Sequence, residues 1–299
     1  MTSKNVRKGF VSIGMPVYNG ECYLEQAIRS VLEQTHPDFE LIISDNASTD
    51  RTQEICKSFA ESDSRVKYFR NDQNIGAAEN YNRLFQLSSG EYFRWSNADD
   101  LIAPQLIEKT LSVLEARPDA VIAFGRTELI DAEGKSLGDY EDNLDIQADA
   151  VTVRYSEFYS QVGLTNVIYG LMRSSAVANT NLMGNGSLPA SDISFMAAMI
   201  LQGKFVGIQE RLFFRRMHGA AFSANPDPSA QAHFWRATAK RTPLPLLRAV
   251  LTDMTGIMGT SLPLSDKLGL LVYCLKRLNW QRQALMQEFL QLFRGGPRL

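Results

Sequence analysis

The 299-residue sequence predicts an α/β fold: a mostly parallel central sheet flanked by helices, with a helical extension at the C-terminal end. Two observations carry that expectation. Through the first two hundred residues, short apolar runs alternate with longer stretches whose apolar residues recur at helical spacing. Strands separated by helices of about ten residues need crossover connections, which make neighbouring strands parallel. After Ala224 the strand patterns stop. Asn225-Pro226-Asp227-Pro228 supplies turn chemistry, and only helical patterns follow, interrupted by Pro243, Pro245 and Pro263. The chain is long for one core and short for three, so the expected division is a principal domain over residues 1–224 and an appendage over residues 225–299.

Each element has its own local signal. Phe10–Met15 is a compact apolar run that Pro16, with no N–H to donate, is expected to end as the first strand. Glu21–Gln34 carries Leu24, Ala27, Ile28, Val31 and Leu32 on one helical face. Phe39–Ser44 reads as the second strand, Thr52–Ser62 as a helix with Ile55 and Phe59 inward, and Val66–Phe69 as the third strand. Ala77–Leu87 is a helix and Glu91–Trp95 the fourth strand. Pro104 suits a first helical turn and opens a helix to about Ala116. Ala120–Ile130 reads as a long strand closed by a turn at Gly134. From Asp131 to Gln161 acidic residues displace the apolar runs, and a loop or flap is expected. Val167–Met172 reads as a strand, Asp192–Leu201 as a helix, and Phe205–Arg216 as one strand or two short ones.

Composition excludes several classes. Apolar residues make up 44% and charged residues 21%, which is ordinary for a soluble protein with a packed interior. The net charge of −2 gives no chain-wide field for a polyanion, so a duplex nucleic-acid binder is not expected. No run of eighteen apolar residues exists to span a bilayer. Met1–Phe10 has no apolar h-region, so no secretory signal is expected. Cys22, Cys56 and Cys274 are too far apart for a metal spacing or a disulfide framework, which suits a reducing cytoplasm.

In a parallel α/β sheet, ligands bind outside the carboxyl ends of the strands, so the polar residues that follow each strand are the candidates. Strand one ends in Met15-Pro16-Val17-Tyr18-Asn19-Gly20, either a plain turn or a loop whose Tyr18 offers a flat ring to a base or sugar. Strand two runs into Asp45-Asn46-Ala47-Ser48-Thr49-Asp50. Helix capping accounts for Ser48, Thr49 or Asp50, with Asp50 best placed, but does not require Asp45 and Asn46. A carboxylate and an amide there are placed to accept the N–H of a nucleobase. Strand four runs into Ser96-Asn97-Ala98-Asp99-Asp100. Two adjacent carboxylates repel, so they either cap the helix after Pro104 or face a divalent cation. Mg²⁺ takes oxygen ligands, using one or two carboxylates together with substrate phosphates.

These strand ends, in this order, resemble the family 2 glycosyltransferases, which have the GT-A fold. The similarity spans roughly Val11–Ser223 and rests on Pro16-Val17-Tyr18-Asn19, Ser30-Val31-Leu32-Glu33-Gln34-Thr35, Asp45 to Asp50, Asn74-Ile75-Gly76, Gly90-Glu91-Tyr92, Asp99-Asp100 and Arg216-Met217-His218. The resemblance implies transfer of a sugar, with inversion, from a nucleotide-diphosphate donor to an acceptor hydroxyl, with Mg²⁺ or Mn²⁺ as cofactor. It implies that Pro16, Tyr18, Asn19, Asp45, Asn46, Gly76, Asp99 and Arg216 bind the nucleotide-sugar, and that Asp99, Asp100 and His218 hold the metal. Asn46 stands where the family often has Asp; its oxygen can still accept an N3–H from uracil or thymine, while its NH₂ can donate. Asn97 stands where an acidic residue is frequent, which leaves the ligand count open.

Asp192, within Pro189-Ala190-Ser191-Asp192-Ile193-Ser194-Phe195, is on residue evidence equally a carboxylate favoured by the helix dipole or a base. The resemblance implies the catalytic base, which deprotonates the acceptor. Arg216 suits phosphate oxygens through its planar fork, and His218 is either a ligand or a structural residue.

Residues 264–294 place Leu268, Leu271, Val272, Leu275, Leu278, Leu285, Phe289 and Leu292 at helical spacing, among Lys267, Lys276, Arg277, Arg282 and Arg294. Such a helix packs on the principal domain or a twin subunit, or lies on an anionic membrane. Since many members of the family act on glycan or lipid-linked acceptors, the resemblance implies a cytoplasmic protein of cell-surface polysaccharide synthesis, peripheral at the inner face of the plasma membrane. Rival readings lack their motifs. A sugar nucleotidyltransferase needs a glycine-rich loop after strand one, where Gly20 stands alone before Glu21, and a dinucleotide oxidoreductase needs Gly-x-Gly-x-x-Gly there. A binding module without catalysis on the same fold stays open.

Overall fold

The first sheet strand, β1 (Arg7–Val17), alternates Val11, Ile13, Met15 and Val17 toward one face, as a period of two dictates. It is the centre from which the computed structural model is best followed; residues 6–141, 143–184, 191–219 and 243–293 are described. β1 runs on through Pro16, against the sequence expectation. Gly14 is the last β1 residue paired with the neighbouring strand, through Trp95, and its carbonyl faces that side, accepting the N–H of Ser96. Pro16 faces the same side one pleat later, where that strand has ended and no donor is needed, while Val17 faces the other neighbour and accepts the N–H of Asn46.

Three crossover units follow: α1 (Leu24–Leu32) to β2 (Phe39–Asp45), α2 (Thr52–Ser62) to β3 (Val66–Arg70), and α3 (Ala77–Leu87) to β4 (Gly90–Trp95). Then come β5 (Leu101–Ile102), α4 (Leu106–Ala116), β6 (Ala120–Ile130), β7 (Ser136–Tyr140), α5 (Val151–Gln161), a 3-10 turn at Asn166–Tyr169, β8 (Leu171–Arg173), α6 (Ser174–Ala178), α7 (Ser191–Ile200) and β9 (Lys204–Arg216). The described residues end in α8 (Pro245–Gly259), α9 (Leu264–Trp280) and α10 (Arg282–Phe293). The sheet order is β3-β2-β1-β4-β8-β6-β9-β5, with β7 on β6. β3, β2, β1 and β4 pair in parallel, as do β6 and β9, while the short β8 runs antiparallel between β4 and β6.

Two apolar layers cover the faces. One gathers α1, α4 and the odd-numbered β1 residues; the other gathers α3, α5, α7 and, through Val250, Ile257, Leu270 and Cys274, the C-terminal helices. Three further details differ from the sequence reading. Pro104 precedes α4 by two residues, and a short strand, β5, lies before it. The stretch expected as a loop contains β7 and α5. Val151, Arg154, Tyr155 and Phe158 give α5 a helical inner face, and Arg154 disguised it: its guanidinium is buried against the carbonyls of Ala148, Asp149 and Ile200. The strand expected over Val167–Met172 begins as a 3-10 turn. The boundary near residue 225 and its turn lie outside the described residues.

Candidate active site

The carboxyl ends of β1, β2 and β4 stand side by side, so the loops after them share one edge. At the β2 end, Asp45 is fully buried. Its Oδ2 accepts from Arg70 Nη1 at 2.5 Å and from the Tyr68 hydroxyl at 2.7 Å, and its Oδ1 accepts the Ser48 N–H at 2.8 Å. Asn46 is as occupied: its oxygen accepts from Asn71 Nδ2 and the Ile75 N–H, and its NH₂ donates to Asn74 Oδ1 at 2.8 Å. Asn74 Oδ1 also receives the N–H of Gly76, whose φ of 84° is a backbone state that favours glycine. Asn19, at φ 52°, accepts the Thr49 N–H and donates its own N–H to Ser48. Asp50 receives the Thr52 N–H but stands one residue before the N-cap, which is Arg51, so the cap is not the residue the sequence suggested. Asp45, Asn46, Asn19 and Gly76 thus lock three loops together, and Tyr18 is left half exposed above them.

At the β4 end the adjacent carboxylates divide. Asp100 is buried, with Oδ1 accepting the Arg216 N–H at 2.8 Å and Oδ2 the Asn97 amide at 2.7 Å. Burial, then the neighbouring Asp99, pushes its pKa up to about 7, against the Arg216 N–H, Asn97 and Arg215. Asp99 is 34% exposed, and its Oδ2 lies 3.1 Å from His218 Nε2. His218 packs on Tyr23 with ring centroids 4.7 Å apart. Asp99 is thus the accessible carboxylate, paired with His218, and Asp100 lies behind it fixing the loop. Among the described residues no group of three or more His, Cys, Asp or Glu side chains is arranged to hold a metal ion, so Asp99, Asp100 and His218 do not form a ready-made ligand set.

Arg216 lies where sequence reasoning placed it but points elsewhere. Its buried guanidinium donates to the carbonyls of Asp99, Asp131 and Ala132 and to Gln26, and stacks over Tyr23. A fork so occupied holds loops and faces no open phosphate position. The arginine that sequence reasoning missed is Arg215, on the opposite face of β9. It donates to Asn166 Oδ1 and the Leu164 carbonyl, and its charge reaches Asp100, Tyr169 and Asp192, lowering the pKa of each. Only the alternation of β9, which turns consecutive arginines to opposite faces, could have signalled it. Asp192 sits in the first turn of α7, half-buried, with the Ile193 N–H on its Oδ1 at 2.9 Å. Burial raises its pKa, opposed by the backbone N–H groups of Ile193 and Asp192 and by Arg215.

Residues 12–147 match the model of glycosyl transferase family 2. Over that part the chain is similar to a family 2 glycosyltransferase domain. An uncharacterized glycosyltransferase of Haemophilus influenzae is 38% identical over 127 residues, 42% of this chain and 50% of that protein. A second from the same organism is 26% identical over 285 residues, 93% of this chain and 84% of the relative. TuaG of Bacillus subtilis, named for teichuronic acid biosynthesis, is 33% identical over 130 residues, 44% of this chain and 51% of TuaG. The matched part of the chain thus spans about half the length of the first and third relatives.

Among solved structures, S. aureus TarS 1-349 in complex with UDP-GlcNAc superposes with a TM-score of 0.66 at 17% identity, covering 90% of this chain and 72% of that one. The mannosyltransferase PcManGT of Pyrobaculum calidifontis, with GDP-Man and Mn²⁺, gives 0.54 at 14% identity, covering 98% and 90%. The GT-A fold expected from the sequence is the fold observed. The glycosyltransferase family match ends before α5, so Asp192, Arg215 and His218 are assigned from geometry rather than from it.

Proposed function

We propose that the chain is an inverting hexosyltransferase-type enzyme that moves a sugar from a UDP- or dTDP-linked donor to a hydroxyl of a glycan or lipid-linked acceptor in cell-surface polysaccharide synthesis. The observation that carries this reading is the family 2 match over residues 12–147, which takes in the loops after β1, β2 and β4. Arg215, held by Asn166 and the Leu164 carbonyl, lies near enough to both Asp100 and Asp192 to lower the pKa of each. Tyr18 borders the base, the loops locked by Asp45 and Asn46 set the shape of its seat, and Asp99 with His218 would hold Mg²⁺ or Mn²⁺. A bound cation supplies charge to offset the departing nucleoside diphosphate. Asp192 takes the acceptor proton as the acceptor oxygen attacks the anomeric carbon from the face opposite the leaving group. Burial raises the pKa of Asp192, and the backbone N–H groups of Ile193 and Asp192, with Arg215 after them, oppose that rise.

The screen that tests this compares UDP-, dTDP- and GDP-sugars, with Mn²⁺, for thermal stabilisation and then for turnover. Stabilisation by a UDP- or dTDP-sugar with metal-dependent transfer is expected; binding without any turnover would leave a nucleotide-sugar-binding module instead.

The C-terminal helices belong to the same proposal. Among the described residues, ten of the fifteen exposed large apolar side chains lie in α8–α10, including Leu264, Leu268, Val272 and Leu275 along one stripe of α9. Exposed apolar groups in that concentration mark a contact surface. The same helices carry Arg248, Lys267, Lys276 and Arg282 against Asp266 and Glu288, a basic excess that suits an anionic membrane. Among the described residues no helix is long and apolar enough to cross a membrane. The full chain is expected to sediment with anionic vesicles, and Leu268→Glu with Leu275→Glu to release it; concentration-dependent dimerisation without vesicle binding would make the face a subunit interface.

A further inference from the structure

A line of side-chain contacts runs through the apolar layer from the loop after β4 to the first turn of α7. Trp95, the last residue of β4, is fully buried, and its backbone is fixed in the sheet opposite Gly14. Its indole stands edge-on to Phe93, with ring centroids 5.0 Å apart, and lies 5.8 Å from the Tyr81 ring. The indole N–H donates to the Tyr81 carbonyl at 3.2 Å. A large ring anchored in a strand, bonded through its nitrogen and packed on two aromatic neighbours has little freedom to turn.

The same indole meets Phe195 of α7, with centroids 5.1 Å apart and planes at 78°. Phe195 is buried and lies three residues after Asp192, so the two side chains are neighbours on the helix surface. In the other direction the Tyr81 hydroxyl donates to Asn97 Oδ1 at 2.8 Å, and the Asn97 amide donates to Asp100 Oδ2 at 2.7 Å. Trp95 therefore touches both the helix that carries the candidate base and the tyrosine that anchors the loop of Asp99 and Asp100. Packed interiors resist deformation, so the rings between two elements set their separation. Group transfer is sensitive to that separation, since a misplacement of about 1 Å costs on the order of 10²-fold in rate.

We propose that Trp95 and Phe195 are positioning residues, an aromatic spacer that sets how far α7 and its Asp192 stand from the loop after β4. Resting on the transferase reading, this adds to it what holds the two halves of the candidate site in register. Neither ring takes part in the chemistry; both act through Asp192.

The test is a double-mutant cycle in the full chain, read by steady-state transfer and thermal unfolding. Phe195→Leu and Trp95→Phe each shorten the contact, and each is expected to lower kcat by about tenfold while the donor KM stays within about twofold. The double variant is expected to lose no more kcat than the worse single one, since one shortened ring already breaks the spacer. Phe158→Leu is the control: the same truncation of a fully buried ring in the same apolar layer, packed on Phe205 and Tyr159. It is expected to lower the melting temperature as much as Phe195→Leu while leaving kcat within about twofold. Trp95→Phe, the smaller change, decides alone if Phe195→Leu fails to fold. Unchanged kcat in the single variants, multiplying losses in the double, or an equal kcat loss in Phe158→Leu would overturn the spacer. Absence of transfer by the wild type would overturn the transferase reading and the spacer with it, so the two failures separate.

Discussion

The strand ends at β1 and β2 and the side chains at the end of β9 and the start of α7 are built in opposite ways. At the first, nearly every polar group has a protein partner: Asp45 with Arg70, Tyr68 and Ser48, Asn46 with Asn71, Asn74 and Ile75, Asn19 with Ser48 and Thr49. At the second, Asp99 is partly open, Asp192 is half-buried, Arg215 lowers the pKa of Asp192, and the buried Ser191 hydroxyl has no partner. Saturated networks fix shape, while groups held in place but not neutralised are the ones free to act on a substrate. On the proposed function, the first region would seat the donor and the second would carry the reaction.

The sharpest way to break that division is Asp192→Asn. Loss of a general base is expected to lower kcat by about 10²- to 10⁴-fold while donor affinity, read by titration, is unchanged. Transfer within a few-fold of wild type would remove Asp192 from the chemistry.

The paired arginines come next. Arg216→Met leaves the carbonyls of Asp99, Asp131 and Ala132 without their buried donor and is expected to cost about 3 kcal/mol in urea denaturation. Arg215→Met is expected to cost about 1 kcal/mol or less but to raise the donor KM. The reverse order would exchange their roles. Asn46→Ala frees the loop at 71–76 and is expected to destabilise by about 2 kcal/mol, with weaker nucleotide binding following from the loosened loop.

A pH profile sharpens the comparison further. The base works ionised, and burial raises the pKa of Asp192, so transfer should fall on acidification at a higher pH than an exposed aspartate would set. Arg215 lowers that pKa, so in Arg215→Gln the acid limb of kcat should move to still higher pH. An unmoved limb would separate Arg215 from Asp192. The smallest effect is Gly256→Leu, expected to stabilise α8 by about 0.5–1 kcal/mol.

Much of this was legible along the chain. Crossover patterns marked β1 to β4, and the polar runs after them marked the loops at the ligand edge, because a strand's period and a turn's chemistry are local. The position of Pro16 in β1 was not, because whether a missing N–H matters depends on where the neighbouring strand stops. α5 was missed because a buried Arg154 reads as polar until its three carbonyl partners are known. The order of Arg215 and Arg216 was misjudged for the same reason: both side chains are identical in sequence, and only the face of β9 each occupies separates a loop clamp from a charge in the site. Sequence by itself determined the fold class, the likeness to family 2 glycosyltransferases and the edge of the sheet where polar residues collect, since these follow from periodicity and from the residues at strand ends. Only the tertiary structure decided which polar groups are already satisfied and which remain open, because a side chain's availability is set by the neighbours that folding brings to it from distant parts of the chain.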